Sequence, residues 1–324
     1  MRSSAMMEFT VGMYSILVVL FSVLFSISSC SWIGVWVGME VNLYGAVLLL
    51  VGMDKVELGA CFKYYFAQCL GSSIILVSIL VGGWGSNEPV FWGLICGLMV
   101  KLGVPPFHFW VPEVVKMGSM KVVWFVLTVQ KFVPFGAVCS AVYSEVAMVL
   151  MFSGASALVG GIGGLSASRV SGVLAYSSIL HGGWSLAACL FSKFELIFYL
   201  GIYWLVLGCV CWLAEVDSYV FEIGGSCCGD KWLLMWSFLS LGGFPPTLGF
   251  LGKLMVLMST MKVFPALGMI LVVGSLFSWG YYLLMVVFCL FFAEQKVGVD
   301  YGWALSLLLV LSFFGGFMLP VLGV

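Results

Sequence analysis

Residues 90–117 read VFWGLICGLMVKLGVPPFHFWVPEVVKM, an apolar run interrupted near its middle by Lys101 and by a proline pair, Pro105 and Pro106. A run of this length is enough to span a bilayer, which takes about 20 apolar residues in a helix. Proline removes a backbone donor and clashes with the preceding turn, so a helix here must break or kink. Irregular backbone at membrane depth is tolerated only where it is buried in protein or lines a wet cavity. The stretch therefore predicts a broken membrane helix with an ionisable group beside the break.

The rest of the chain agrees with a membrane setting. It has 324 residues, 63% of them hydrophobic and only 8% charged, with a mean hydropathy of +1.19. Soluble domains carry about 25% charged residues, so 13 Lys and Arg with 14 Asp and Glu cannot coat a water-facing surface. Soluble enzymes, secreted disulfide scaffolds and disordered chains are excluded. The net charge of −1 excludes the basic surface of a nucleic-acid binder. Continuous apolar runs, without polar alternation, exclude a membrane β-barrel. Cysteines lie mostly in or beside apolar runs, where the residue acts as a small hydrophobe. No CxxC occurs and neither histidine neighbours a cysteine pair, so no zinc site is expected.

A window of about 19 residues, with breaks at charged or Gly/Pro clusters, predicts an all-α polytopic bundle of about eleven spans. They run near 9–29, 32–52, 60–82, 90–117, 121–143, 146–165, 172–191, 195–214, 232–258, 264–292 and 301–321. No linker is long enough to separate soluble domains, so residues 1–324 read as one transmembrane domain. The start reads as the first helix, not a removed signal. With this count Arg2, Lys55, Lys63, Lys116, Lys121, Arg169, Lys231 and Lys296 fall on the side of the N-terminus, and only Lys193 and Lys262 on the other. The positive-inside rule then puts the N-terminus in the cytoplasm or mitochondrial matrix.

The remaining basic residues, Lys101, Lys131 and Lys253, fall inside spans, as does Glu40. Each such charge costs about 2.5–3.5 kcal/mol at a helix centre, and such residues commonly mark an ion or proton route. Buried structural ion pairs and snorkelling are the competing readings. Burial penalises an ammonium and a nearby carboxylate restores it. A buried lysine with a movable acidic neighbour can thus load and release a proton, and Glu40 and Lys101 are of the right types. The sequence leaves their contact open. His108, in PPFHFW, and His181, in AYSSILHGGW, complete the ionisable set; each is either a relay or a packing histidine.

A second stretch echoes the first. Residues 241–253, LGGFPPTLGFLGK, again carry a glycine, a proline pair (Pro245 and Pro246) and a lysine, Lys253. The echoes occur in the fourth and ninth spans, an odd offset that inverts one unit against the other. Inverted repeats with paired broken helices point to an ion-translocation site. Gly34-x-x-x-Gly38 and Gly160-x-x-x-Gly164 read as close helix packing. GGIGG at 160–164 lacks the dinucleotide fingerprint and follows no strand.

Several stretches together, SWIGVWVGMEVNL (31–43), KYYFAQCLGSS (63–73), KLGVPPFHFWVPEVV (101–115), LTVQKFVPF (127–135), GGLSASRVSGVLAYSSILHGGW (163–184) and LSLGGFPPTLGFLGK (239–253), resemble the antiporter-like membrane-arm subunits of proton-pumping NADH–ubiquinone oxidoreductase (complex I), in their shortened eleven-helix animal form. The resemblance covers about residues 31–260 on those motifs. It implies a proton-translocating subunit with no cofactor of its own, the NADH, FMN, iron–sulfur clusters and ubiquinone being bound by partner subunits. It implies other polytopic membrane-arm subunits, accessory subunits and lipids as partners, and no nucleic acid. It places the chain in the mitochondrial inner membrane with the N-terminus on the matrix side and the C-terminus in the intermembrane space. By position Glu40 and Lys101 match the family's charged pair, Lys131 its central lysine, Lys253 the lysine of the second broken helix and His181 the relay histidine. Where many relatives have a basic pair before the AYSS segment, this chain has Ser171 and Gly172. Three readings compete with a redox-driven proton carrier. A free-standing cation/proton antiporter shares the same lysines and breaks. A haem protein would use His108 and His181 as axial ligands. A purely structural anchor does not need four intramembrane charges.

Overall fold

A computed structural model of the chain describes residues 2–52, 58–82, 87–142, 145–214, 228–245 and 247–291. Every regular element among them is helical, as the sequence predicts: α1 (Arg2–Ser28), α2 (Trp32–Gly52), α3 (Leu58–Gly82), α4 (Asn87–Leu102), α5 (Trp110–Lys116), α6 (Met120–Leu127), α7 (Val129–Ala141), α8 (Val146–Leu165), α9 (Val170–Cys189), α10 (Lys193–Leu213), α11 (Cys228–Gly242), α12 (Leu248–Val263) and α13 (Pro265–Phe291). Ten of the expected spans are accounted for by these thirteen helices, because the fourth, fifth and ninth are each split in two. The expected eleventh span at 301–321, and Pro246, lie outside the described residues. Six stretches have the length and composition to cross a membrane unaided.

The chain divides into two compact units, residues 1–152 and 153–324. In the first, α1 packs on α2, α3 on α4, and α7 on α2 and α4. In the second, α9, α10, α12 and α13 pack around one another and α11 rests on α10 and α13. Helix α9 is the centre of this unit, with only Tyr176 among its twenty residues not buried. Outward faces are as apolar as the inside: Leu17, Phe21, Leu24, Phe62, Phe66 and Leu70 are all more than half exposed. Water would not tolerate so continuous an apolar surface, whereas lipid tails solvate it.

Lipid offers no hydrophobic driving force between helices, so close backbone approach and hydrogen bonding hold them together. Both small-residue motifs fulfil that role. A Cβ on Gly34 would lie 2.7 Å from Ser29 Cβ, and one on Gly38 would collide with Ser26. One on Gly160 would lie 2.8 Å from the Cα of Leu180 in α9, and one on Gly164 would meet the ring of Tyr281. Buried serines return their hydroxyls to their own helices: Ser22 to Val19 O, Ser72 to Gln68 O, Ser177 to Leu174 O and Ser185 to His181 O, at 2.7–2.8 Å. That local bond keeps a polar atom satisfied where no water reaches.

Gly160→Leu pushes on the α9 backbone, which cannot rotate away as a side chain could, and overpacking of this kind costs about 1–3 kcal/mol or more. Gly201, with nothing within 4 Å of its Cβ position, is the control. Thermal denaturation of the assembled protein should show a clear loss for Gly160→Leu and little change for Gly201→Leu.

Candidate functional site: broken helices and buried charge

Helix α4 ends where the sequence requires. Gly103 takes the positive φ of +68° that closes a left-handed C-cap without a Cβ penalty. Val104 N bonds Met99 O at 3.0 Å and Gly103 N bonds Val100 O at 3.2 Å, the paired bonds of a Schellman motif. Pro105 and Pro106, joined by a cis bond, then bar continuation until α5 begins at Trp110. The end of α11 repeats this geometry. Gly243 has φ +77°, and Phe244 N reaches Leu239 O and Gly243 N reaches Ser240 O, both at 3.1 Å. Pro245 follows in register.

Terminal carbonyls at both breaks receive donors from other elements. Trp110 Nε1 donates to Val100 O at 3.1 Å, and Gln68 Nε2 on α3 to Lys101 O at 3.2 Å. At the second break Trp279 Nε1 on α13 donates to Gly242 O at 2.8 Å. Lys253 Nζ donates to Gly242 O at 2.7 Å and to Leu241 O at 3.3 Å. The echo therefore holds for glycine, caps and proline but not for the lysines. Lys101 precedes its break on α4, whereas Lys253 lies on α12 and reaches back.

In the first unit the two charges left open by the sequence meet. Lys101 Nζ lies 3.5 Å from Glu40 Oε1, with the lysine side chain 2% exposed and the glutamate side chain 20%. Around them lies an amide network that the motif reading overlooked. Gln130 Oε1 accepts from Asn42 Nδ2 at 2.9 Å and from Tyr64 OH at 3.1 Å, and Trp110 packs edge-on against Tyr64 at 5.8 Å. Helices α2, α3, α5 and α7 thus share one polar seam.

Lys131 is buried one residue beyond Gln130, but not in an unbroken helix. The fifth span divides at Thr128, whose φ and ψ of −117° and −76° depart from the helix. Its hydroxyl takes Trp124 O at 2.5 Å while its amide also bonds Trp124 O at 3.0 Å. Lys131 begins the next turn, its amide on Thr128 O at 3.1 Å. The one proline of this span, Pro134, lies six residues further on inside α7, so the sequence did not place a division at Thr128. Side-chain competition for a helix carbonyl is the physical source of such bends.

His181 occupies the middle of α9 in the second unit. Its Nδ1 is 2.6 Å from the hydroxyl of Tyr199 on α10, and its ring lies 4.6 Å from that of Tyr203. Beside it is a cavity with about 10 Å³ open to the centre of a water molecule, lined by His181, Tyr199, Tyr203, Ser240, Leu241 and Gly252 among others. That is room for about one water. A macrocycle does not fit in that cavity. His108, partly exposed in the turn between α4 and α5, lies with its ring tilted against that of Phe109 at 4.4 Å and is not brought to the Glu40–Lys101 pair by any contact described. Among the described residues no three His, Cys, Asp or Glu side chains gather as a metal site.

Paired half-helices with buried ammonium groups at their ends define a polytopic membrane bundle of the antiporter-like class. A family model described as NADH:quinone oxidoreductase/Mrp antiporter, TM, matches residues 83–278. The chain belongs to that family, and within it to the NADH-ubiquinone oxidoreductase chain 2 branch, as two curated relatives indicate. The Locusta migratoria protein of that name is 32% identical over 72% of each chain. The Mytilus edulis protein is 31% identical over 96% of this chain and 97% of its own. A chain of the Thermus thermophilus respiratory complex I superposes with a TM-score of 0.81 at 25% identity, covering 94% of this chain and 78% of that one.

If Glu40 and Lys101 support one another, their removal is not additive. The single variants Glu40→Gln and Lys101→Met and the double variant should show a coupling energy above about 0.5 kcal/mol in thermal unfolding of the assembled protein. Additive effects would mean that the 3.5 Å approach carries no energy.

Proposed function

We propose that the chain is a proton-translocating membrane-arm subunit of NADH:ubiquinone oxidoreductase in the mitochondrial inner membrane. The observation that carries this reading is the Glu40–Lys101 pair at the end of a broken helix. A buried ammonium with its carboxylate on another helix gains or loses stabilisation when that helix shifts, which converts motion into proton uptake or release.

Glu40, Lys101, Lys131, His181 and Lys253 are the proposed carriers, with His108 as a candidate in the turn after Pro106. The two units act as one antiporter-like domain. By the basic-residue asymmetry the N-terminus faces the matrix and the C-terminus the intermembrane space. The chain contributes no redox chemistry: it has no strand-borne glycine fingerprint and no thiolate spacing for a cluster. NADH, FMN, iron–sulfur clusters and ubiquinone belong to partner subunits, and energy arrives through neighbouring polytopic subunits that bias the broken helices.

Arginine keeps its proton throughout the working range, so Lys131→Arg should fail as Lys131→Ala does. Both variants, in the assembled enzyme in membrane vesicles, should depress proton pumping per NADH oxidised. Normal pumping in both removes Lys131 from the route. The isolated chain in liposomes should reduce neither NADH-linked acceptors nor quinone. Vigorous cation/proton exchange by the isolated chain would favour the free-standing antiporter instead.

A further inference from the structure

The proposed carriers fall within apolar spans, and in the second unit polar side chains follow from His181 toward the start of α10. Helix α10 begins at Lys193 with Ser192 as its N-cap, and Ser192 Oγ accepts from Glu195 N at 3.1 Å. In a Ser-x-x-Glu capping box the glutamate ordinarily turns back to the cap amide. Here the carboxyl reaches across to α12 instead: its Oε1 accepts from Ser259 Oγ at 2.9 Å, and its other oxygen is buried. Ser259 lies six residues, about 9 Å along the helix, beyond Lys253.

Glu195, Tyr199 and Tyr203 follow one another at four-residue steps, so they form a single stripe on α10. The second member of the stripe holds His181 Nδ1 at 2.6 Å and the third covers its ring. The cavity beside them is walled by Leu241, whose carbonyl receives Lys253 Nζ at 3.3 Å. From the helix end inward come Glu195, then Tyr199 with its partner His181, then a cavity whose wall residue Leu241 receives Lys253.

We propose that Glu195 is the group through which the His181–Lys253 site exchanges protons with water at the membrane edge where α10 begins. This rests on the proton-carrying reading above, and with the orientation given there the edge is the intermembrane-space side. Each step moves one proton and no other bond. The carboxylate takes a proton from, or gives one to, water. Tyr199 passes its hydroxyl proton to one neighbour as its oxygen receives another, and stays neutral throughout. His181 releases at one nitrogen what it gains at the other. The charged side chains described at this end of the helices packed together are Lys193 on α10 and Lys262 on α12, both exposed. Glu195 is the acidic one, and it is half-buried.

The competing role, a cap and interhelical tie, predicts different variants. Glu195→Gln keeps shape and hydrogen bonding but carries no proton; Glu195→Asp keeps the carboxyl; Ser259→Ala cuts the tie alone. In the assembled enzyme in membrane vesicles, Glu195→Gln should lower protons moved per NADH oxidised to the level of Lys253→Ala, while Glu195→Asp and Ser259→Ala keep most of it. Full pumping in Glu195→Gln beside impaired Lys253→Ala overturns the proposal and leaves the site reading intact. Full pumping in Lys253→Ala overturns both. Equal loss in Ser259→Ala and Glu195→Gln makes Glu195 structural. The parent enzyme supplies a measurement free of folding effects: a membrane-soluble carbodiimide, which attacks protonated carboxyls, should label Glu195, and absence of the adduct overturns its role.

Discussion

In a hydrocarbon slab every backbone carbonyl needs a donor, and a broken helix leaves several without one. Much else in this protein follows from how those carbonyls are answered. Glycine-capped ends at Gly103 and Gly243 satisfy part of the set internally. The rest draw in indoles and long polar side chains from other helices: Trp110 and Gln68 at the first break, Trp279 and Lys253 at the second. At the second break Lys253, a charge that costs several kcal/mol in lipid alone, is thereby given partners that the break itself creates. Break and buried lysine are two parts of one arrangement.

The same accounting explains what a sequence reader can and cannot see. Apolar runs gave the spans because lipid selects composition directly, and the proline pairs gave two of the three breaks because proline acts locally. Glu40, Lys101, Lys131 and Lys253 stood out because a charge is conspicuous in a run of leucine and valine. Contact between Glu40 and Lys101 was not legible, since 61 residues separate them and helix rotation decides which faces meet. The division at Thr128 was hidden because threonine is ordinary in a membrane helix and bends it only when its hydroxyl takes a carbonyl. Asn42, Tyr64, Gln68 and Gln130 were passed over for a related reason. Neutral amides and phenols hardly change the hydropathy of a window, yet one amide and one phenol converging on the Gln130 oxygen tie α2, α3 and α7 together. Their signal was available as polar residues in apolar runs. Glu195 was missed because it sits at a helix start, where acidic residues are common.

The outward faces impose the complementary constraint. Lipid-facing leucine and phenylalanine supply no specificity, so helix register depends on the few positions where side chains vanish or polar atoms meet. Gly160 against Leu180 and Ser153 Oγ on Gly183 O at 2.8 Å lock α8 to α9 in the second unit. Because α9 carries His181, that small-residue contact also sets the height at which the imidazole meets Tyr199. Helix packing and the His181–Tyr199 contact therefore share positions, and a change chosen to loosen one perturbs the other.

The unmatched lysines separate the two breaks by mechanism. Lys101 occupies the last turn of α4 and Lys253 donates to the last carbonyls of α11, so each ammonium lies at the negative end of a half-helix dipole. The first has in addition a countercharge on another helix, since Glu40 lies on α2, whose displacement would change the Coulomb field at Lys101. The second is held by carbonyl oxygens fixed in its own break. A carbonyl cannot be moved without reshaping the cap, so the electrostatic setting of Lys253 depends on backbone geometry at Gly242 and Gly243. The Lys101 ammonium thus depends on a neighbouring helix and the Lys253 ammonium on a turn.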